Sequence, residues 1–283
     1  MAKPISVLRT IGSLRRIVER WRAADARIAL VPTMGALHAG HVALISSARR
    51  RAQRIVVSIF VNPSQFAADE DLATYPRTWD ADLELLRKLG ADAVWAPSAE
   101  RMYPAGFATR VLPAGAATVG LEDRFRPHFF TGVATVVAKL LIQCAPDFAM
   151  FGEKDYQQLR VVEQMTSDLD LPTRIIAVPT VREKDGLALS SRNLYLSTSE
   201  RERAPLLHRV VKECARKIAE GAQLESVLGE AAGAIQNGGF ALDYLEARHA
   251  QTLQPITSHA QGPIRLLVAA RLGKTRLIDN VGV

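Results

Sequence analysis

The chain has 283 residues, of which 48% are hydrophobic and 23% are charged, a composition typical of globular proteins. Its longest apolar stretches, such as residues 54–61, are far shorter than the roughly 20 residues of a membrane-spanning helix. Its two cysteines, Cys144 and Cys214, belong to no C-x-x-C pair, which argues against a structural zinc site or a disulfide framework and favours a reducing cytoplasm.

The formal net charge of +7 leaves two interpretations open, a nucleic-acid-binding protein or a basic surface with pockets for small anions. The densest basic cluster, Arg49–Arg51, falls where a helix is predicted to end, and the helix dipole favours cations there without any ligand. No fingerprint of alternating aromatic and basic residues is present. We therefore expect small anionic ligands, with no nucleic-acid or membrane partner.

The N-terminal part of the chain alternates strand-like and helix-like segments. Short apolar segments predict strands at 27–33, 54–62, 93–96, 148–151 and 173–178. Helical periodicity lies between them, at 42–52, 78–89, 131–143 and 156–169. This alternation predicts an α/β fold with a parallel sheet covered by helices on both faces.

The pattern changes near Pro179. Asp185-Gly186 lies between two strand-like arms and predicts a hairpin, and Ser197–Glu200 is a capping box that predicts a helix continuing to Ile218. A helix at 224–236 and strands at 241–247, 264–271 and 275–279 should complete a smaller α+β domain with an antiparallel sheet. We therefore predict two domains, residues 1–179 and 180–283.

Four polar stretches stand out from this background. In open α/β sheets ligands bind beyond the carboxyl ends of the strands. "PTMGALHAGH", "VNPSQF" and "FGEKDYQQ" each follow a predicted strand, and "ALSSRN" closes the predicted hairpin. We expect these four stretches to converge on one crevice.

The first stretch contains His38 and His41 around Gly40, at the start of a predicted helix. Free N–H groups at a helix start bind phosphate, and histidines there can donate to its oxygens. A metal site and a structural loop are the alternatives, although two histidines without a nearby carboxylate or cysteine are an incomplete ligand set. The stretch matches neither the P-loop nor G-x-G-x-x-G.

The other stretches also carry polar groups, although each stretch alone could be an exposed loop without a ligand. Lys154 would suit phosphate, and Asp155 could accept from ribose hydroxyls. Gln65 and Gln158 could hold a substrate carboxylate without pairing it ionically. "SSR" adds two hydroxyls and a guanidinium that could clamp a polyphosphate. The remaining candidates, His208, His249 and His259, are interpreted as surface or packing residues, and Cys214 as core.

Taken together, "PTMGALHAGH", "FVNPSQF", "FGEKDYQQL" and "DGLALSSRNLYL" resemble the pantothenate synthetase (pantoate–β-alanine ligase) family. "YPRT" at 75–78, "GVATVVAKL" at 132–140 and "RLIDN" at 276–280 match as well, so that the resemblance covers nearly the whole chain. H-x-G-H alone would indicate only the wider nucleotidyltransferase superfamily, which includes class I aminoacyl-tRNA synthetases.

The resemblance implies a Rossmann-like, doubly wound nucleotide-binding domain, a smaller C-terminal domain that closes over it, and a cytoplasmic homodimer. It implies that (R)-pantoate is joined to β-alanine in two steps, with ATP cleaved to AMP and pyrophosphate. Mg²⁺ is expected to bridge the ATP phosphates, and the sequence does not tell which residues, if any, ligate it.

The resemblance also implies site residues. Catalytic roles fall on His38, on His41 as proton donor, on Lys154 and on Arg192. ATP-binding positions are Met34, Gly35, Ala36, Leu37, His38, Ala39, Gly40, His41, Gly152, Glu153, Lys154, Asp155, Val181, Leu189, Ser190, Ser191 and Arg192. The pantoate positions are Gln65 and Gln158, and the β-alanine positions are Gln65, Asn62 and Tyr75.

Two departures from the family pattern bear on the site. In "RPHFFTGV" Phe129 takes the place where the family often has histidine, and His128 lies one residue earlier, so His128 is left out of the predicted site. The superfamily's K-M-S-K-S loop is reduced to "ALSSR", so that Arg192 must carry the positive charge. A related nucleotidyltransferase or aminoacyl-tRNA-synthetase-like enzyme, and a nucleotide-binding protein without activity, remain the alternatives.

Overall fold

The computed structural model describes residues 5–67, 70 and 72–283. The chain forms two compact units, an N-terminal unit of Met1–Glu153 with Val161–Pro179 and a C-terminal unit of Lys154–Arg160 with Thr180–Val283. One boundary thus falls between Pro179 and Thr180, and the short segment 154–160 groups with the C-terminal part of the chain.

A six-stranded parallel sheet forms the N-terminal unit. Its strands are Ser6–Leu8 (β1), Ile28–Thr33 (β2), Arg54–Ile59 (β3), Ala93–Trp95 (β4), Phe148–Gly152 (β5) and Arg174–Val178 (β6). They lie in the order β1-β4-β3-β2-β5-β6, and every pairing is parallel. The predicted doubly wound α/β fold is confirmed, and the strand order reverses direction between β2 and β5, where such sheets bind ligands.

The helices in this part of the chain are Ile11–Ala23 (α1), Ala39–Arg49 (α2), Trp79–Lys88 (α3), Ala99–Met102 (α4), Glu122–Phe125 (α5), Phe129–Cys144 (α6) and Tyr156–Asp168 (α7), of which α7 begins in the C-terminal unit and ends in the N-terminal unit. Helices α2, α3, α6 and α7 were predicted within a few residues, whereas β1 and α1 were not predicted. Helix α1 buries only Leu14, Val18 and Trp21, and its other face carries arginines.

The central strand explains why the sequence folds this way. Ile28, Ala29, Leu30 and Val31 of β2 are all 0% exposed. A parallel strand covered on both faces needs such a continuous apolar run. Helix α6 is likewise buried along most of its length.

The C-terminal unit contains an antiparallel sheet in the order Ala241–His249 (β7), Ile264–Leu272 (β8) and Thr275–Gly282 (β9). The helices Thr198–Arg203 (α8), Pro205–Ala219 (α9) and Leu224–Asn237 (α10) accompany it. Cys214 lies in the core of this unit, as predicted.

One of two local predictions in this unit was wrong. The capping box at Ser197 opens only α8, because Pro205 starts a second helix; proline has no N–H with which to continue the first. The predicted hairpin around Asp185-Gly186 is confirmed in a short form: an antiparallel bridge joins Arg182 to Ala188, Glu183 N donates to Leu187 O at 2.8 Å, and neither arm continues as a β-strand.

A buried carboxylate connects this turn to β9. Asp279 accepts two hydrogen bonds from Arg182, at 2.7 and 2.8 Å, and lies 3.2 Å from His208 Nδ1. Arg182 also donates to Gly186 O at 3.1 Å. Burial raises the pKa of Asp279, but the hydrogen bonds from His208 and Arg182 outweigh it, so that the pKa lies below its usual value.

Asp279→Asn should lower the free energy of unfolding near pH 7 by about 3 kcal/mol, because it leaves the Arg182 charge without its carboxylate. Because the pKa of Asp279 is lower in the folded than in the unfolded state, its carboxylate stabilises the protein at pH values above the unfolded-state pKa. This stability is lost as the pH falls through the folded-state pKa. Denaturant unfolding between pH 7 and pH 3 should therefore show a weaker loss of stability on acidification in Asp279→Asn. Glu202→Gln, at an exposed position of α8, is the control; equal acid sensitivity of the two variants would contradict the account.

Candidate active site

The turn between β2 and α2 is held by one buried carboxylate. Asp82, on α3 and only 3% exposed, accepts from Ala36 N at 2.9 Å and from Leu37 N at 2.8 Å. Ala36 has a left-handed backbone, with φ of 49°, which costs a non-glycine residue free energy unless its surroundings enforce it. Asp82 therefore fixes the path by which the chain reaches His38.

His38 caps helix α2. Its Nδ1 accepts from Gly40 N at 3.1 Å, and His41 Nδ1 accepts from His38 N at 3.2 Å, which together form a capping box. Backbone N–H groups can only donate, so both Nδ1 atoms are acceptors. In the neutral rings the proton consequently lies on Nε2 of each histidine, and the two ring centroids are 4.2 Å apart.

Gly40 is required by this cap. A Cβ at Gly40 would lie 2.8 Å from His38 Cε1 and 2.9 Å from His38 Nδ1. Any side chain there would displace the ring from its capping position. The result is a helix N-terminus, with its positive dipole end, that presents two imidazole N–H donors.

The segment after β3 brings three predicted residues together. Asn62 Nδ2 donates to Gln65 Oε1 at 3.1 Å, and Gln65 Nε2 lies 3.1 Å from Met34 Sδ. Asn62 is only 1% exposed, so in this structure its amide supports Gln65 and presents almost no surface of its own. Tyr75 is also buried and packs edge-on against Phe66.

Helix α6 packs against residues 62–65 through Gly132. A Cβ at Gly132 would lie 2.3 Å from Ser64 O and 2.8 Å from Gln65 Cα. Gly132 O also accepts from Asn62 Nδ2 at 3.2 Å. Gly132, the first residue of the "GVATVVAKL" motif, therefore permits close backbone packing against residues 62–65.

The position at which the family often has histidine is occupied differently here. Phe129 begins α6, and Arg126 lies 3.8 Å above its ring. Arg126 also donates to both carboxylate oxygens of Glu70, at 2.6 and 2.7 Å, and to Gln65 O at 3.2 Å. His128 is exposed and makes no side-chain cap to α6.

Lys154 and Gln158 belong to the C-terminal unit; Lys154 lies in the 3-10 turn Glu153–Asp155 and Gln158 in the first turn of α7. Lys154 Nζ lies 3.5 Å from Asp155 Oδ1. Lys154 O accepts from Asn280 Nδ2 at 3.0 Å, and Asn280 Oδ1 accepts from Arg265 at 2.7 Å. The "RLIDN" motif on β9 therefore fixes the backbone at Lys154.

The "SSR" segment of the same unit is also ordered by local bonds. Leu189 N donates to Val181 O at 3.0 Å, which brings two predicted ATP positions together. Ser190 Oγ accepts from Arg192 N at 3.3 Å and caps the 3-10 helix Ser191–Tyr195. Ser190, Ser191 and Arg192 are half-buried.

Sequence reasoning missed the residues that position these groups. Asp82, Arg126, Asn280 and Gly132 were not predicted to have such roles. Among the described residues, no group of three or more histidine, cysteine, aspartate or glutamate side chains could hold a metal ion. No helix in the described part of the chain is long and apolar enough to span a membrane.

Comparisons with known proteins identify the family of the chain. The family model of pantoate–β-alanine ligase matches residues 6–282. Pantothenate synthetases from Nitrobacter hamburgensis and Rhodopseudomonas palustris BisA53 are 59% and 60% identical over the full length of both chains.

Two solved structures are also similar. Pantothenate synthetase from Thermus thermophilus is 44% identical, with a TM-score of 0.92 over 98% of this chain and 99% of that one. Pantoate–β-alanine ligase from Francisella tularensis, described as complexed with "beta-gamma ATP" and β-alanine, is 33% identical, with a TM-score of 0.82 over 99% and 98% of the two chains.

A parallel sheet with a histidine-capped helix at its switch point defines an α/β protein of the nucleotide-binding class. With residues 6–282 matched, the chain belongs to the pantoate–β-alanine ligase family, whose enzymes join pantoate to β-alanine.

Asp82→Asn should lower the free energy of unfolding by about 1–3 kcal/mol, because one loop N–H would face an amide NH₂ in place of an acceptor. The turn that carries His38 and His41 should loosen, and turnover should fall with it. Asp80→Asn is the control, since Asp80 is exposed on the same helix. Denaturant unfolding that gives equal stability for the two variants would contradict the role of Asp82.

Proposed function

We propose that this chain condenses (R)-pantoate with β-alanine to pantothenate through a pantoyl-adenylate, and that it releases AMP and pyrophosphate. The family match over residues 6–282 is the observation that carries the proposal. The ATP and β-alanine named for the Francisella tularensis relative support the same substrates here.

The two steps follow from the chemistry of a carboxylate, whose leaving group in direct acyl transfer would be oxide. In the first step a pantoate carboxylate oxygen attacks the α-phosphorus of ATP, and the bond to the bridging oxygen breaks to release pyrophosphate. In the second step the unprotonated amine of β-alanine attacks the acyl carbon, and AMP leaves with the carboxylate oxygen. Catalysis of such transfers is mostly positioning and charge stabilisation.

The histidine-capped turn supports a role at the phosphates. Its geometry leaves Nε2–H of His38 and His41 as the ring donors, on the positive end of α2. Such preorganised donors stabilise charge that moves onto phosphate oxygens during transfer. The bonds within the turn favour a phosphate cradle over the metal-site interpretation, because both Nδ1 lone pairs already accept backbone N–H groups.

The remaining site residues keep the roles implied by the family. Lys154 and Arg192 supply positive charge to the phosphates, and Asp155 accepts from the ribose. Gln65 and Gln158 hold pantoate, Gln65 and Tyr75 border the β-alanine position, and the buried Asn62 serves that position through Gln65. Mg²⁺ would be brought to the site with ATP, as MgATP, and a cytoplasmic homodimer is part of the same proposal.

AMP formation tests the reaction. With purified chain and MgATP, AMP should appear only when pantoate and β-alanine are both added, and pantoate alone should support exchange of pyrophosphate into ATP. AMP without β-alanine at the full rate would contradict the second step. ATP binding without either signal would indicate the inactive nucleotide-binding protein.

Two variants test separate roles. His41→Ala should lower kcat by about 10²–10³-fold, as loss of one preorganised donor does. Gln158→Ala should chiefly raise the KM for pantoate, with the KM for ATP unchanged. A kcat near the wild-type value in His41→Ala, or an unchanged pantoate KM in Gln158→Ala, would reject the corresponding role.

A further inference from the structure

The side chain of Asn62 lies between two sets of partners. Its Oδ1 accepts from the hydroxyl of Tyr103 at 2.7 Å and from Ser64 Oγ at 2.9 Å, with Ser64 N at 3.4 Å. Its Nδ2 donates to Gln65 Oε1 at 3.1 Å and to Gly132 O at 3.2 Å. All five residues belong to the N-terminal unit.

Two backbone groups decide which end of the Asn62 amide is oxygen. Ser64 N–H can only donate, and Gly132 C=O can only accept. In the reverse orientation the Asn62 NH₂ would face the Ser64 N–H donor, and the Asn62 oxygen would face the Gly132 carbonyl oxygen. Asn62 therefore turns its NH₂ toward Gln65, whose Oε1 accepts from it.

This arrangement fixes the polarity of Gln65. With Oε1 used by Asn62, the Nε2 group faces Met34 Sδ, which is a weak acceptor. A ligand oxygen would be a better partner for that N–H group than the thioether is. Gln65 is thus presented as a hydrogen-bond donor, suited to a carboxylate or hydroxyl oxygen.

We propose that Tyr103 is a positioning residue, whose hydroxyl fixes the Gln65 amide through Asn62 so that Gln65 donates to pantoate. This inference rests on the proposed function, because Gln65 is the pantoate residue of that reaction. It also assigns specificity: the substrate must present an oxygen acceptor to Gln65.

The surroundings of Tyr103 suit a fixed donor. Its ring packs 6.3 Å from Phe60 and 5.2 Å from Phe107, measured between ring centroids. Burial raises the pKa of the phenol, so it remains protonated and able to donate at neutral pH. Lys139 Nζ lies 4.4 Å from the Phe107 ring centroid and adds a cation–π contact to the same cluster.

Tyr103→Phe removes the hydroxyl and keeps the ring. The pantoate KM in the AMP-forming assay should rise about fivefold, the size of one lost hydrogen bond, because Ser64 Oγ still reaches Asn62. The KM for ATP should stay within twofold, and thermal unfolding should show a folded protein. Phe107→Leu is the control, since it changes the ring packing and leaves the hydroxyl in place; its pantoate KM should be near that of the wild type.

A double-mutant cycle separates positioning from general packing. In a Gln65→Ala background Tyr103→Phe should have no further effect on the pantoate KM, because the group that it positions is gone. An unchanged pantoate KM in Tyr103→Phe alone, equal effects in both backgrounds, or an equal effect of Phe107→Leu would overturn this inference and leave the proposed function standing. Absence of AMP formation by the wild-type chain would overturn both.

Discussion

Two backbone amides in the turn after β2 share one buried carboxylate, and the position of both histidines depends on it. Asp82 accepts from Ala36 and Leu37 and holds a left-handed residue in place. Beyond that residue His38 caps α2, and His41 closes the capping box. A loop with unsatisfied amides would leave these rings without a fixed direction, whereas this one fixes their tautomers as well as their positions.

The C-terminal unit uses the same device on its own segments. Two adjacent residues of β9 hold two separate parts of the chain: Asp279 binds Arg182 at the turn that leads to Leu189, and Asn280 binds the backbone of Lys154. A buried side chain from a distant element thus fixes each functional loop. Loops that carry binding residues need such support, because their own backbone makes few regular hydrogen bonds.

The sequence predicted those parts of the molecule that depend on local pattern. Strands β2 to β6 and the parallel sheet follow from continuous apolar runs alternating with helical periodicity. Strand β1 is only three residues long, and α1 buries three residues among arginines, so their patterns were weak. Pro205 divided a helix that apolar spacing alone had joined.

The candidate site was likewise predicted only where the sequence signal is local. The motifs placed the polar stretches at the ends of strands, because strand order and ligand position are linked in α/β sheets. The supporting residues could not be predicted, since Asp82 lies 46 residues from Ala36, Tyr103 lies 41 from Asn62, and Gly132 lies 70 from Asn62. Only the folded chain brings such pairs together, and a single sequence carries no local signal of them.

The proposed function depends on attack of a pantoate carboxylate oxygen on the α-phosphorus of ATP. The most direct measurement uses (R)-pantoate with ¹⁸O in its carboxylate, together with ATP and β-alanine, and determines the mass of the AMP formed. Attack of the carboxylate on the α-phosphorus predicts one ¹⁸O atom in AMP and none in pyrophosphate. AMP without the label, or label in released phosphate or pyrophosphate, would contradict an adenylate intermediate.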